Sequence, residues 1–252
     1  MRPIIIGVGG AHSGAGKTTL AVALLRHLTE INPLWGAIKY TKTAIYCSMI
    51  DDIEVLSKED KDTERLLSSG AERVLWVQSP ASELGEVLPM AVEKLSDLKG
   101  IVVEGNSAIE FLRPDIIIFI FGSDSGRIKE SARRVLEMAD VVVCKGSNEL
   151  IVTSGQSNRS QPSVLSLTTR LSDCQNAGLS ELGNEDFIAC IAEMVEKKEK
   201  IRSAIKEKAI DGRLPCPLAR KIAEELSVSY KEVGEVADRL EIKIIDCELG
   251  CF

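Results

Sequence analysis

Aromatic residues are scarce, at 4% of 252 positions, and no apolar run approaches the length of a membrane span. The first scarcity points to a core of Ile, Val, Leu and Ala, which a hydrophobic fraction of 44% can supply and which parallel sheets use. The second gives no membrane contact to expect. An excess of positive charge is also missing. With 31 Lys and Arg against 38 Asp and Glu, the formal charge is −7, which argues against a basic surface for nucleic acid. The apolar run after Arg2 is too short for a secretory signal and flows straight into a glycine-rich loop. Seven cysteines, an odd number spread along the chain, come with no secretory context, so reduced thiols and a cytoplasmic location are expected.

What is present begins at Ile4. The β-branched run Ile4-Ile5-Ile6-Gly7-Val8 enters Gly9-Gly10-Ala11-His12-Ser13-Gly14-Ala15-Gly16, and Lys17-Thr18-Thr19 opens an amphipathic stretch. The order is strand, phosphate loop, helix. Glycines let the backbone turn its N–H groups toward a polyphosphate, and the helix N-terminus adds a favourable dipole. The loop Ser13-Gly14-Ala15-Gly16-Lys17-Thr18-Thr19 is the expected nucleotide cradle. Lys17 would reach the β- and γ-phosphates and Thr18 would ligate Mg2+. Ala11 stands at the first loop position, where glycine is usual.

Short apolar runs recur between helical stretches. Strands are expected near Ile4–Val8, Gly36–Lys39, Val74–Gln78, Ile101–Glu104, Ile116–Phe121, Val141–Lys145 and Val164–Leu167. Helices are expected near Lys17–Leu28, Thr63–Ser69, Glu83–Leu98, Arg127–Met138 and Glu185–Lys208. This alternation predicts an α/β P-loop nucleoside triphosphatase fold over residues 1–200, its mainly parallel sheet covered on both faces. Ser154–Pro162 reads as a polar loop, and the charge run Glu196–Lys200 as a solvated helix face. Residues 211–252 form a second, smaller module. Leu218, Ile222 and Leu226, then Val233, Val236 and Leu240, space two short helices around Ser227-Val228-Ser229, in a helix-turn-helix-like layout with a strand at Ile242–Ile245. From Ile201 to the end the acidic and basic residues nearly cancel, so a docking or dimerisation role is expected before DNA binding.

Ligands of such sheets sit beyond the carboxyl ends of the strands. Glu104 ends one apolar strand and is placed to hold Mg2+ or position an attacking group. Lys39 and Lys42 end another and would lie near phosphates or an anionic second ligand. Asp62, read as a helix N-cap, is a second candidate for catalysis. Ala139–Ser147 resembles the strand ending in Asn-Lys-x-Asp in GTP-binding proteins, with Cys144 and Ser147 at the Asn and Asp positions. Lys145 remains to pack on a base, and Ser147 or Asn148 could bond a purine edge, so GTP is preferred over ATP. Cys216, Cys247 and Cys251 could gather as zinc or iron–sulfur ligands, with Cys174, Cys190 or a dimer mate as a fourth. Buried thiols without metal are the simpler expectation.

With these stretches in place, the chain resembles the molybdopterin-guanine dinucleotide biosynthesis protein B family. The resemblance runs from Ile4 to about Pro80, through Gly14–Thr19, Gly36-Ala37-Ile38-Lys39-Tyr40-Thr41, and Asp62-Thr63 followed by Gly70-Ala71-Glu72-Arg73-Val74. It continues through Val103-Glu104-Gly105. Tyr40 stands where the family carries histidine, and the part after about Pro162 is not covered. The resemblance implies a dimeric GTP-binding accessory of the molybdopterin-modifying enzyme that attaches GMP. The rival readings are a small-molecule kinase, with Lys39, Lys42 and an Asn106-Ser107 turn holding an anionic acceptor, and a nucleotide-dependent DNA-binding regulator.

Overall fold

The computed structural model describes residues 2–59, 61–121, 128–144, 150–152 and 185–246. They fall into two compact units, Met1–Cys190 and Ile191–Phe252.

The first unit is α/β, built on one eight-stranded, mainly parallel sheet. Its chain order is β1 (Ile4–Gly10), α1 (Lys17–Ile31), β2 (Trp35–Lys42), β3 (Ser48–Ile50), α2 (Ile53–Glu59) and α3 (Lys61–Leu67). Then come β4 (Val74–Ser79), α4 (Leu84–Lys94), β5 (Gly100–Glu104), α5 (Asn106–Leu112), β6 (Ile116–Phe121), α6 (Glu130–Met138), β7 (Val141–Cys144) and β8 (Leu150–Val152). The strands lie in the order β3-β4-β2-β5-β1-β6-β7-β8. The central pairings are parallel, and the outermost pairs, β3 with β4 and β7 with β8, are antiparallel.

The strands alternate their side chains between two apolar layers. Ile5, Ile38, Leu75, Val77, Ile101 and Val103 pack with Leu84, Leu88 and Ala91 of α4 and Ala108 of α5. Ile117, Phe119 and Val142 pack with Ile109 of α5 and Ala132 and Val135 of α6. The other set, including Ile4, Ile6, Val8 and Val102, is buried too, and α1 contacts β1, β5 and β2 through a stripe of Leu20, Ala21, Leu24, Leu25 and Leu28. Burial on both sides explains why these strands are apolar throughout.

The second unit begins inside α7 (Glu185–Lys208) and holds β9 (Arg213–Pro215), α8 (Cys216–Glu225), α9 (Tyr230–Arg239) and β10 (Lys243–Ile245). Ile201, Ile205, Leu214, Ala219, Ile222, Ala223, Val233, Val236 and Ala237 make its core, and β9 pairs with β10 in parallel. Ser229 and Glu232 close a reciprocal capping box at the start of α9. Leu218, assigned by spacing to the apolar face of α8, is exposed; Ala219, Ile222 and Ala223 occupy that face instead.

Three local expectations need correction. The helix expected over Glu83–Leu98 ends at Lys94, after a 3-10 turn at Ala81–Glu83. Asn106-Ser107 is the first turn of α5, not a strand-end turn. Asp62 is the second residue of α3, not its cap. The strand at Val164–Leu167 and the loop at Ser154–Pro162 lie outside the described residues. No helix among the described residues is long and apolar enough to cross a membrane.

Candidate functional site

The site forms where β1 leaves the sheet. Gly14 and Gly16 take φ of 80° and 108°, conformations that a side chain would strain. Gly16 caps α1 without a side-chain hydrogen bond, and the first turn of α1 holds no acid. The leading N–H groups of a 15-residue helix are thus left to face the loop. The loop's entry is fixed from both flanks. The Ala11 N–H donates to the Ile120 carbonyl at 2.9 Å, and its own carbonyl accepts from the Lys129 N–H at 3.1 Å. Within the loop, Lys17 Nζ donates to the His12 carbonyl at 3.1 Å.

Register brings the charged groups together. In the parallel ladders Glu104 lies beside Val8 on one side and Lys39 on the other. Glu104 and Lys39 share the sheet face of Val102 and Ala37, opposite to that of Val103 and Ile38. The Thr18 hydroxyl, at the second position of α1, donates to Glu104 at 3.0 Å from Oε1 and 2.9 Å from Oε2. Lys39 Nζ donates to Asp62 Oδ2 at 2.5 Å, which ties the start of α3 to the end of β2. Thr18 and Glu104 are each 7% exposed and Lys39 is 8% exposed, so these three are largely out of water, while Asp62 and Lys17 are half-buried.

Burial shapes its electrostatics. It pushes the Glu104 carboxyl above the ordinary range, against the pull of Lys39, the Thr18 hydrogen bond and Lys17. It also holds Lys17 below the usual lysine range; Glu104 and Asp62 oppose that shift, while Lys129 and Lys39 add to it. For Asp62 burial pushes upward, but the hydrogen bond and charge of Lys39, with help from Thr18 and Arg65, hold it below the ordinary range. Hard oxygen donors largely withdrawn from water suit a cation such as Mg2+. The hydroxyl of Thr18 and the carboxylate of Glu104 would hold it.

The structure therefore brings Lys17, Thr18, Lys39, Asp62 and Glu104 into one cluster. Ser13 and Gly14 are exposed on the loop, Ala15 is buried, and Gly16 and Thr19 are half-buried. Lys42 is exposed at the end of β2. Lys145, Ser147, Asn148, Cys174, Cys247 and Cys251 lie outside the described residues; Cys190 is half-buried in α7 and Cys216 is buried at the start of α8. No group of three or more metal-binding side chains of the His, Cys, Asp and Glu types occurs among the described residues.

Three contacts escape a reading of the sequence. Arg65 donates to the Thr19 hydroxyl at 3.1 Å, a second link from α3 to the start of α1. The Tyr40 hydroxyl donates to the Ser79 carbonyl at 2.9 Å and so is used inside the sheet. Asn106 bonds the backbone of Gly10 through both ends of its amide, so the group that a kinase reading turns toward an acceptor is engaged at home. The only signal for this last contact is position, two residues beyond Glu104. Compared with known proteins, the chain matches no family model and no curated protein.

Proposed function

We propose that the chain is a magnesium-dependent nucleotide-binding protein of the P-loop nucleoside triphosphatase fold, taking GTP in preference to ATP. The observation that carries this reading is the hydrogen-bonded pair of Thr18 and Glu104, buried at the N-terminus of α1 beside Lys17. A hydroxyl and a carboxylate meeting where a glycine-rich loop becomes a helix are the parts needed to place a cation against a polyphosphate. When bound, magnesium would offset phosphate charge and the desolvated charge of Glu104. Lys17, now spent on the His12 carbonyl, is free to turn to a phosphate oxygen.

The role that fits the resemblance from Ile4 to about Pro80 is an accessory, working as a homodimer, to a molybdopterin-modifying enzyme in cofactor maturation. Slow hydrolysis suits such a role. It is supported by Asp62, a candidate catalytic carboxylate, being held by Lys39. The test is a calorimetric titration with GTP and with ATP in Mg2+. The wild type should bind GTP more tightly, and Lys17→Ala should lose binding while keeping its circular dichroism. Equal affinity in that variant would overturn the assignment.

A further inference from the structure

Along β1, alternate residues send their backbone groups to opposite neighbours. Ala11 bonds β6, and Gly10 faces β5. The register that sets Val8 against Glu104 would set residue 106 against Gly10. By that point the chain has left the ladder. Gly105, at φ 136°, turns it into α5, and a Cβ there would lie 3.1 Å from atoms of Tyr40. The Asn106 side chain stands in for the lost strand residue. Its Oδ1 accepts from the Gly10 N–H at 3.0 Å, and its Nδ2 donates to the Gly10 carbonyl at 2.9 Å. An amide side chain is a peptide group in miniature, so it reproduces both halves of a ladder pair.

Resting on the nucleotide-binding reading above, we propose that Asn106 is a positioning residue of that site, a neutral amide that fixes the loop entry at the level of Glu104. Two acids, Asp115 and Asp140, also complete ladders in this sheet. Asp115 accepts from the Ile5 N–H and Asp140 from the Ile117 N–H, each at 2.8 Å. In both cases the neighbouring carbonyl is bonded by the acid's own backbone N–H, so an acceptor alone is enough. At Gly10 the side chain must also donate. An ionised acid would face the Gly10 carbonyl with like charge, and would add negative charge beside Glu104 where phosphates arrive. Only Gly105 separates Glu104 from Asn106. With Ala11 held by β6 and Lys129, clamping Gly10 leaves His12–Gly16 as the part of the loop free to adapt to a ligand.

The test uses Asn106→Asp and Asn106→Ser in the full chain, with calorimetry of GTP in Mg2+ at about pH 7.5, above the ordinary aspartate range. An ionised Asp of the same shape accepts from the Gly10 N–H but cannot donate to its carbonyl, and Ser is too short to bridge both groups. The expected result is affinity weaker by about tenfold or more for each variant that keeps the wild-type circular dichroism, and Asn106→Ser serves as the second variant should the first fail to fold. Affinities within about twofold of wild type for folded variants would overturn the proposal, since a merely structural contact would lower the melting temperature and leave the affinity of the folded protein unchanged. Absence of binding by the wild type would instead overturn the nucleotide reading on which it rests.

Discussion

Glu104 is an acid held where a neutral group would be more comfortable. In the unfolded chain it would ionise near roughly pH 4.3; in the folded chain burial raises that point. Below the unfolded value both states carry the proton and nothing is lost. As pH rises through the raised folded value, the folded state is destabilised relative to the unfolded one. Glu104→Gln should therefore melt at a higher temperature than wild type at pH 7, with the gap closing as the solution is acidified into the carboxylate range. The same variant should bind GTP without the usual gain from Mg2+. A lower melting temperature at pH 7 would show that Glu104 is a structural ion-pair member and not a functional strain. The motif spacing made Lys17, Thr18 and Glu104 legible in the sequence because each is tied to a loop or strand end. The Asn106 clamp was not legible, because a polar residue at the start of a short helix looks the same whether its amide faces solvent or Gly10.

At the scale of elements, what could be read were the segments whose apolar pattern is long. β6 runs over Ile116–Phe121 as expected, and α1 starts at Lys17 but continues three residues past Leu28 to Ile31. The elements β3, α2, α5, β8 and β9 gave no usable signal, since each has seven residues or fewer and too little periodicity to separate from a loop. Helix α3 shows how such short pieces are held. Its sequence suggested a capped start, but its placement depends on Asp62 reaching Lys39 and Arg65 reaching Thr19. The Asp62 pKa is depressed, so its contribution is present above the ordinary carboxylate range and fades as pH falls through the folded value. Asp62→Asn should then cost stability at pH 7 and converge with wild type in acid. With the Asp62 side chain 41% exposed, solvent screening limits that cost to under about 1 kcal/mol. In α9, Ser229→Ala removes the cap that accepts from the Glu232 N–H and should cost about 1 kcal/mol in denaturant unfolding. No measurable loss would mean that Glu232, also paired with Lys197, holds the end alone.

On the scale of the whole molecule, the chain is anionic and its proposed ligand is more so. With a formal charge of −7, the general field opposes a triphosphate, and binding must come from a local concentration of donors. The structure supplies Lys17 in the loop, with the charges of Lys39 and Lys129 acting on it, against Glu104 and Asp62. The two acids offset two of the three lysine charges, so on the proposed reading a divalent cation would add the positive charge that tips the balance toward phosphate. A ligand present at about a hundred times its dissociation constant stabilises the folded state by about 2.7 kcal/mol. For a folding unit of about 150–250 residues that corresponds to roughly 5–11 °C in melting temperature. We expect a rise of that order with GTP and Mg2+ together, less than half of it when EDTA removes the metal, and none for Lys17→Ala. Equal shifts with and without Mg2+ would mean that the lysines alone hold the phosphates and that the Thr18–Glu104 pair is only a structural contact between α1 and β5.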